Sequence, residues 1–108
     1  MQRLFLFLCA FLSYASTFAG TQTGQVTTIR KRASDGLIYF YLSGVHSGAP
    51  SCAGSHDYWM IKDENSNTGK QQLAILLAAR ASGETITVDG SNTCTRWGDG
   101  EDVDLVSY

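Results

Sequence analysis

The side chains able to do chemistry in this chain gather in two short stretches. Residues 43–55 hold His46, Ser47 and Cys52 among glycines, with His56 and Asp57 just beyond. The second stretch runs Cys94-Thr95-Arg96-Trp97-Gly98-Asp99-Gly100 and continues through Glu101, Asp102 and Asp104. Nucleophilic catalysis needs a serine or cysteine beside an oriented base, and the serines near His46 and His56 lack the glycine pattern of a nucleophile elbow. No catalytic residue is therefore assigned, and the chain reads as non-enzymatic; a small hydrolase would require His46 or His56. His46, Cys52, His56 and Asp57 match no zinc spacing, and the acidic run of residues 99–104 does not place ligands as an EF-hand loop does. No phosphate-cradling glycine motif occurs, so neither a metal nor a cofactor is expected. The acidic run reads instead as a solvated charged turn with an edge strand.

Trp97 stands apart from these residues. A flat apolar ring beside a cation, a carboxylate and two glycines suits a sugar, whose C–H face stacks on an aromatic while its hydroxyls take polar partners. The candidate ligand-binding residues are thus Trp97, Arg96 and Asp99, with His46 and Ser47 from the glycine-rich loop. The competing reading has Trp97 plugging one end of the fold beside the cysteines. Tyr39, Phe40, Tyr41, Tyr58 and Trp59 read mostly as core by strand parity.

With 108 residues, a single proline, three cysteines and a formal net charge of −2, the chain has room for one small domain. Arg3 followed by an apolar run from Leu4 to Leu12, too short to span a bilayer, reads as a secretory signal over residues 1–19. Small residues at Thr17 and Ala19 place the cut between Ala19 and Gly20, leaving residues 20–108 as the mature domain. Cys9 leaves with the leader, so Cys52 and Cys94 remain as a pair bound for an oxidising compartment, secreted or periplasmic, and a disulfide between them is expected. The basic cluster Arg30-Lys31-Arg32 is balanced by the acidic run, which argues against nucleic acid as a partner. No second long apolar stretch follows the leader, so membrane insertion is not expected.

The elements that must position these residues follow from periodicity and turn chemistry. Residues 24–31 are β-favouring, Asp35-Gly36 signals a hairpin, and residues 37–42 form a second strand that is apolar or aromatic on both faces. A long loop over 43–55 leads to a short strand at 58–61. Asn67 or Thr68 caps a helix over about 69–82, and Gly83 stops it. Strands over 84–88, 93–97 and 103–108 complete the string. Three strands, one helix and two or three strands fit a mainly β fold, a small five-stranded Greek-key barrel of the oligonucleotide/oligosaccharide-binding type. An open antiparallel sheet with a packed helix gives the same string; the barrel is preferred because closure hides the edges of short strands.

The helix is apolar at every position from Leu73 to Ala81 except Arg80 and shows no polar stripe. Either a second copy covers part of it, with Leu73, Ile75, Leu76 and Leu77 at the interface, or a monomer tolerates a broad apolar stripe diluted by alanines.

From about Leu37 to Trp97 the chain resembles the B subunits of five-subunit bacterial toxins, in the subtilase-cytotoxin and pertussis-like branch. The resemblance is carried by the aromatic strand Tyr39-Phe40-Tyr41-Leu42, the glycine-rich loop ending in Cys52, Trp59-Met60-Ile61, the helix segment Leu76-Leu77-Ala78-Ala79-Arg80, the run Ser82-Gly83-Glu84-Thr85-Ile86-Thr87-Val88 and the late Trp97. It implies a secreted barrel that self-associates into a ring, binds cell-surface glycans with its outward loops and serves a separate enzymatic chain. The acidic run has no counterpart in that pattern. The runner-up is a structural or inhibitory secreted protein acting by protein contact, without a sugar site.

Overall fold

The computed structural model of the chain describes residues 19–108. The leader expected over 1–19 lies outside the described residues but for Ala19. The fold is mainly β, a five-stranded mixed sheet with one helix: β1 (Thr21–Lys31), β2 (Ile38–Leu42), β3 (Trp59–Met60), α1 (Asn67–Ser82), β4 (Thr85–Gly90) and β5 (Glu101–Ser107). The strand order β1-β2-β3-β5-β4 returns to β1, so the sheet closes on itself. All the ladders are antiparallel except that of β3 with β5, which pairs Trp59 with Glu101 and Met60 with Asp102.

Closure depends on β1, whose first half pairs with β4 and whose second half pairs with β2. An irregularity between Val26 and Thr28 bends the strand where it passes from one partner to the other. The β1–β2 connection is the hairpin that Asp35-Gly36 signals: Gly36 takes φ +79°, and the Asp35 carboxylate accepts from the Leu37 amide at 3.1 Å. The alternate residues Ile38, Phe40 and Leu42 of β2 point inward and join Val26, Trp59, Ile61, Ile86, Val88 and Val103 in the core. Trp59 is anchored by its indole N–H, which donates to the buried Gln22 side chain at 2.8 Å.

Three expectations are corrected. No strand forms at 93–97; those residues belong to the β4–β5 loop, where donors that a strand would pair with a neighbour turn instead onto the Asp102 carboxylate. The helix begins at Asn67 and its cap is Ser66, not Asn67 or Thr68, because the Ser66 hydroxyl accepts from the Gly69 amide at 2.9 Å. The acidic run is a solvated turn only in part: Asp99 is half-exposed and Asp104 exposed, but Glu101 and Asp102 are 0% exposed and β5 is no edge strand, since the short β3 brings it into the sheet between two neighbours.

The helix divides its apolar residues by the 3.6-residue period. Leu76 and Ala79 are buried in the core, so Leu76 serves this chain's own interior and not an interface, while Leu73 is half-buried and packs against the core. Ile75 is half-buried, and Leu77 is 52% exposed with Ala74, Ala78 and Ala81 also exposed. Alanine accounts for most of the missing polar stripe.

Gly69 shows how closely the helix start is seated. On propensity alone Gly69→Ala would stabilise by about 1 kcal/mol. A Cβ there would stand 1.9 Å from the Asp63 carbonyl oxygen and 3.2 Å from Ile61 Cγ2. We therefore expect the opposite sign, a loss of about 1–3 kcal/mol from overpacking, read as a lowered midpoint in urea. A midpoint that rose would show that the loop before the helix yields freely.

Candidate functional site

Strand parity that buries Phe40 sends Tyr39 and Tyr41 to the outer face of β2, where both are half-buried, as is Tyr58 just before β3. The three rings meet edge to face, with centroids 6.3 Å apart for Tyr39 and Tyr41, 5.7 Å for Tyr39 and Tyr58, and 5.9 Å for Tyr41 and Tyr58. The His56 ring stacks on Tyr58 with centroids 4.9 Å apart and an interplanar angle of 22°. Reading these tyrosines as core is corrected: the closed sheet has an inside for Phe40 and Trp59 only, and the other parity faces outward.

Asp99 joins this aromatic wall to the β4–β5 loop. Its carboxylate accepts a short hydrogen bond from the Tyr58 hydroxyl and lies 3.5 Å from His56 Nε2. Partial burial, then the hydrogen bond to Asp99 and its charge, push the Tyr58 phenol up to about 12, so it remains a donor at neutral pH. Asp99 and His56 are themselves about half exposed, which leaves both with lone pairs or protons for a ligand.

Trp97 sits on the same loop, 38% exposed, and does not plug the interior. The Arg32 guanidinium lies over its ring at 4.5 Å from the centroid, so one face is covered by a cation from the β1–β2 loop. Arg32 is held in turn by Asp35, whose carboxyl is lowered to about 2, first by its bond to Arg32 and then by the Leu37 amide. Arg96 is largely engaged. It grips Glu64 with both Nε at 3.0 Å and a terminal nitrogen at 2.7 Å, and donates to the Asp35 carbonyl at 2.9 Å. That pairing holds the Glu64 carboxyl below its usual value and raises Arg96 further. Arg96 is thereby a clamp between the β1–β2, β3–α1 and β4–β5 connections.

The loop that carries Trp97 is organised by Asp102. Its Oδ2 accepts from the Thr93 hydroxyl at 2.7 Å, the Thr95 amide at 2.9 Å and the Thr95 hydroxyl at 2.6 Å, and its Oδ1 from the Arg96 amide at 3.1 Å. Burial alone would push this carboxyl up, but these hydrogen bonds outweigh it and hold the group below its ordinary value. The Cys52–Cys94 disulfide fastens the same loop to the segment before His56 and Tyr58.

Of the residues singled out in the sequence, Trp97 and Asp99 meet at this face, and Arg96 supports it. His46 and Ser47 do not contribute to it. The His46 side chain is 2% exposed and stacks on Trp59 with ring centroids 4.2 Å apart; Ser47 exchanges backbone hydrogen bonds with Thr21. The site residues that went unassigned are Tyr39, Tyr41, Tyr58 and His56. The i, i+2 spacing of Tyr39 and Tyr41 opposite Ile38, Phe40 and Leu42 was the available signal.

A cleft of about 560 Å³ opens on the other side of Arg96, between the start of α1 and β5, with Lys62, Thr68, Gln72, Val103 and Asp104 on its walls. Gln72 donates to the Asp104 carbonyl across it at 3.0 Å. Among the described residues no three His, Cys, Asp or Glu side chains converge as metal ligands would, and no helix is long and apolar enough to cross a membrane. Comparison of the chain with protein-family models, with curated proteins and with solved structures finds no match.

Proposed function

We infer that this protein is a secreted, non-enzymatic carbohydrate-binding module whose site is the outer face of β2 and β3 with the flanking β1–β2 and β4–β5 loops. The closed sheet is read as the five-stranded Greek-key barrel of the oligonucleotide/oligosaccharide-binding type. Support comes from the order β1-β2-β3-β5-β4, the parallel β3–β5 pair and the single helix between β3 and β4. That architecture uses this face and these two loops for ligands.

The observation that carries the reading is the half-exposed wall of Tyr39, Tyr41 and Tyr58, continuous through Asp99 with the loop of Trp97. Ring faces take the C–H surface of a sugar, while Asp99, His56 and the phenol hydroxyls take its hydroxyl groups. The same stacking could serve a nucleobase, but a net charge of −2 and a carboxylate in the middle of the wall oppose a phosphate backbone. Binding to a glycan array is expected, and Trp97→Ala should weaken it about tenfold, a stacked ring plus its area. Unchanged affinity in that variant removes Trp97 from the site, and an array on which the parent chain binds nothing ends the sugar reading.

Self-association, in a ring that presents several such faces and serves a separate enzymatic chain, belongs to the same proposal. What supports it is narrower than the whole helix: the outward strip of Ala74, Leu77, Ala78 and Ala81. Sedimentation of the mature chain at micromolar concentration should show an oligomer that Leu77→Glu reduces to monomer. A monomeric parent chain would overturn the ring. The exposed Leu77 equally favours the second reading, contact with a different protein and no sugar site, which predicts an inert glycan array.

A further inference from the structure

We propose that Gly20 is the first residue of the working protein and that its α-ammonium group, freed from the leader, is the buried counter-ion of Glu101. Glu101 is 0% exposed. Both its carboxylate oxygens face the same nitrogen, Gly20 N, at 3.0 and 3.2 Å, and Oε2 also accepts from the Asn92 amide at 3.0 Å. A peptide N–H has one hydrogen to share between those two oxygens. An ammonium nitrogen in the same place has three hydrogens and the charge that a buried carboxylate otherwise lacks.

His46 supplies a second, independent observation. Among the described residues it is the basic side chain within ion-pair distance of Glu101, with Nε2 at 3.8 Å from Oε1. Its other nitrogen, Nδ1, faces the Asp57 carbonyl at 3.3 Å, which calls for a proton on Nδ1. That Nε2 is buried and has no hydrogen-bond partner. A buried ring nitrogen without a hydrogen-bond partner and a carboxylate thus face one small space beside Gly20 N.

Gly20 borders that space. A Cβ on it would come within 2.2 Å of Glu101 Oε1 and 2.9 Å of His46 Nε2, and a Cβ on Gly90 would reach 1.9 Å from Glu101 Oε2. Two glycines therefore make the room in which Glu101 lies. The position of Gly20 is fixed by its carbonyl, which accepts from the Gly90 amide at 2.8 Å, and by the start of β1 directly after it.

The chemistry is a hydrolysis. A signal peptidase adds one water across the Ala19–Gly20 bond, the Ala19 carboxylate departs with the leader, and the Gly20 amine takes up a proton, its ordinary pKa being about 8. The cut precedes folding, and the new terminus then docks on the Glu101 carboxylate, with His46 Nε2 bordering the same space. The fold reaches its full stability only after processing, because the uncut chain brings a neutral amide to a buried anion.

The first test is the mass of the secreted chain, which should begin at Gly20; any other first residue overturns the proposal. The second is a double-mutant cycle in urea, comparing the chain that starts at Gly20 with one that retains Ala19, each with and without Glu101→Gln. Retaining Ala19 should lower the folding equilibrium constant about 10–100-fold beside Glu101 and less than about threefold in the Glu101→Gln background. Equal losses in both backgrounds overturn it. Should Glu101→Gln fail to fold, reductive methylation of the native Gly20-start chain decides, with the exposed Lys31, Lys62 and Lys70 as internal standards. The Gly20 amine should react at least about tenfold more slowly than in the urea-unfolded chain, and equal rates overturn the proposal.

Discussion

Asp102→Ala is expected to lower stability by about 3–5 kcal/mol and to release the β4–β5 loop, because it strands several donors at once. The Thr93 hydroxyl, the Thr95 amide and hydroxyl, and the Arg96 amide all end on this one carboxylate. Each unsatisfied buried donor costs about 1–3 kcal/mol, and water reaching the exposed Thr95 returns part of that. For a domain of this size the loss corresponds to a thermal midpoint lower by roughly 15–30 °C. Asp102→Asn should lose about half as much, since one carbonyl oxygen remains while the new NH₂ meets an N–H or O–H donor. Under the proposed sugar reading, glycan affinity should fall with the loop, because Trp97 and Asp99 are carried on it. A midpoint within a few degrees of the parent chain would show that the loop is held by its disulfide and Arg96 alone.

The same carboxylate sets an acid limit. Asp102 and Glu64 both lie below their ordinary values and Asp35 falls to about 2, each held there by donors present only in the folded chain. A depressed native pKa means that the stabilisation is complete above the unfolded value and is lost as pH falls through the lower, folded one. The loop cluster should therefore be unchanged from pH 7 to about 5 and loosen below about 4. Near-ultraviolet circular dichroism against pH reads this directly, and a transition centred above pH 5 would assign acid sensitivity to other groups.

The order of elements was legible because each rests on neighbours in sequence: the Asp35-Gly36 turn, the alternation of β2 and Gly83 at the helix end; the Cys52–Cys94 pair was legible by elimination, as the two cysteines left after the leader. What was not legible rests on partners far along the chain. Glu101 looks like one more charge in an acidic turn until Gly20, 81 residues away, is seen to donate to it. Arg96 looks free until Glu64, 32 residues away, takes its guanidinium. The helix looked uniformly oily because composition cannot say that its outward positions are mostly alanine while Leu73 and Leu76 turn inward. At the candidate site Trp97 and Asp99 lie on one loop beside the tyrosine wall, whereas His46 turned inward onto Trp59. Tyr39 and Tyr41 alternate with core residues, but their use depends on Tyr58 arriving from beyond a long loop.

Breaking the Cys52–Cys94 bridge is expected to cost about 4 kcal/mol, the chain entropy returned to an unfolded state no longer closed by a loop of this length. The bridge joins positions 42 apart, from the 3₁₀ turn Ser51–Ala53 to the β4–β5 loop. Cys52 is exposed and Cys94 half-buried, so Cys52→Ser with Cys94→Ser opens no core cavity and the loss falls on the unfolded side of the equilibrium. Two signatures follow. The denaturant midpoint drops while the dependence on urea steepens, because the freed unfolded chain exposes more surface. Reduction of the parent chain by a thiol reproduces the double variant, since both remove the same constraint. Under the proposed sugar reading, ligand affinity should fall as well, because the bridge also ties the segment leading to His56 and Tyr58 to the loop of Trp97 and Asp99. A reduced chain whose midpoint stays within about 0.5 kcal/mol of the oxidised one would show that Asp102, Arg96 and the closed sheet restrain these segments without the bridge.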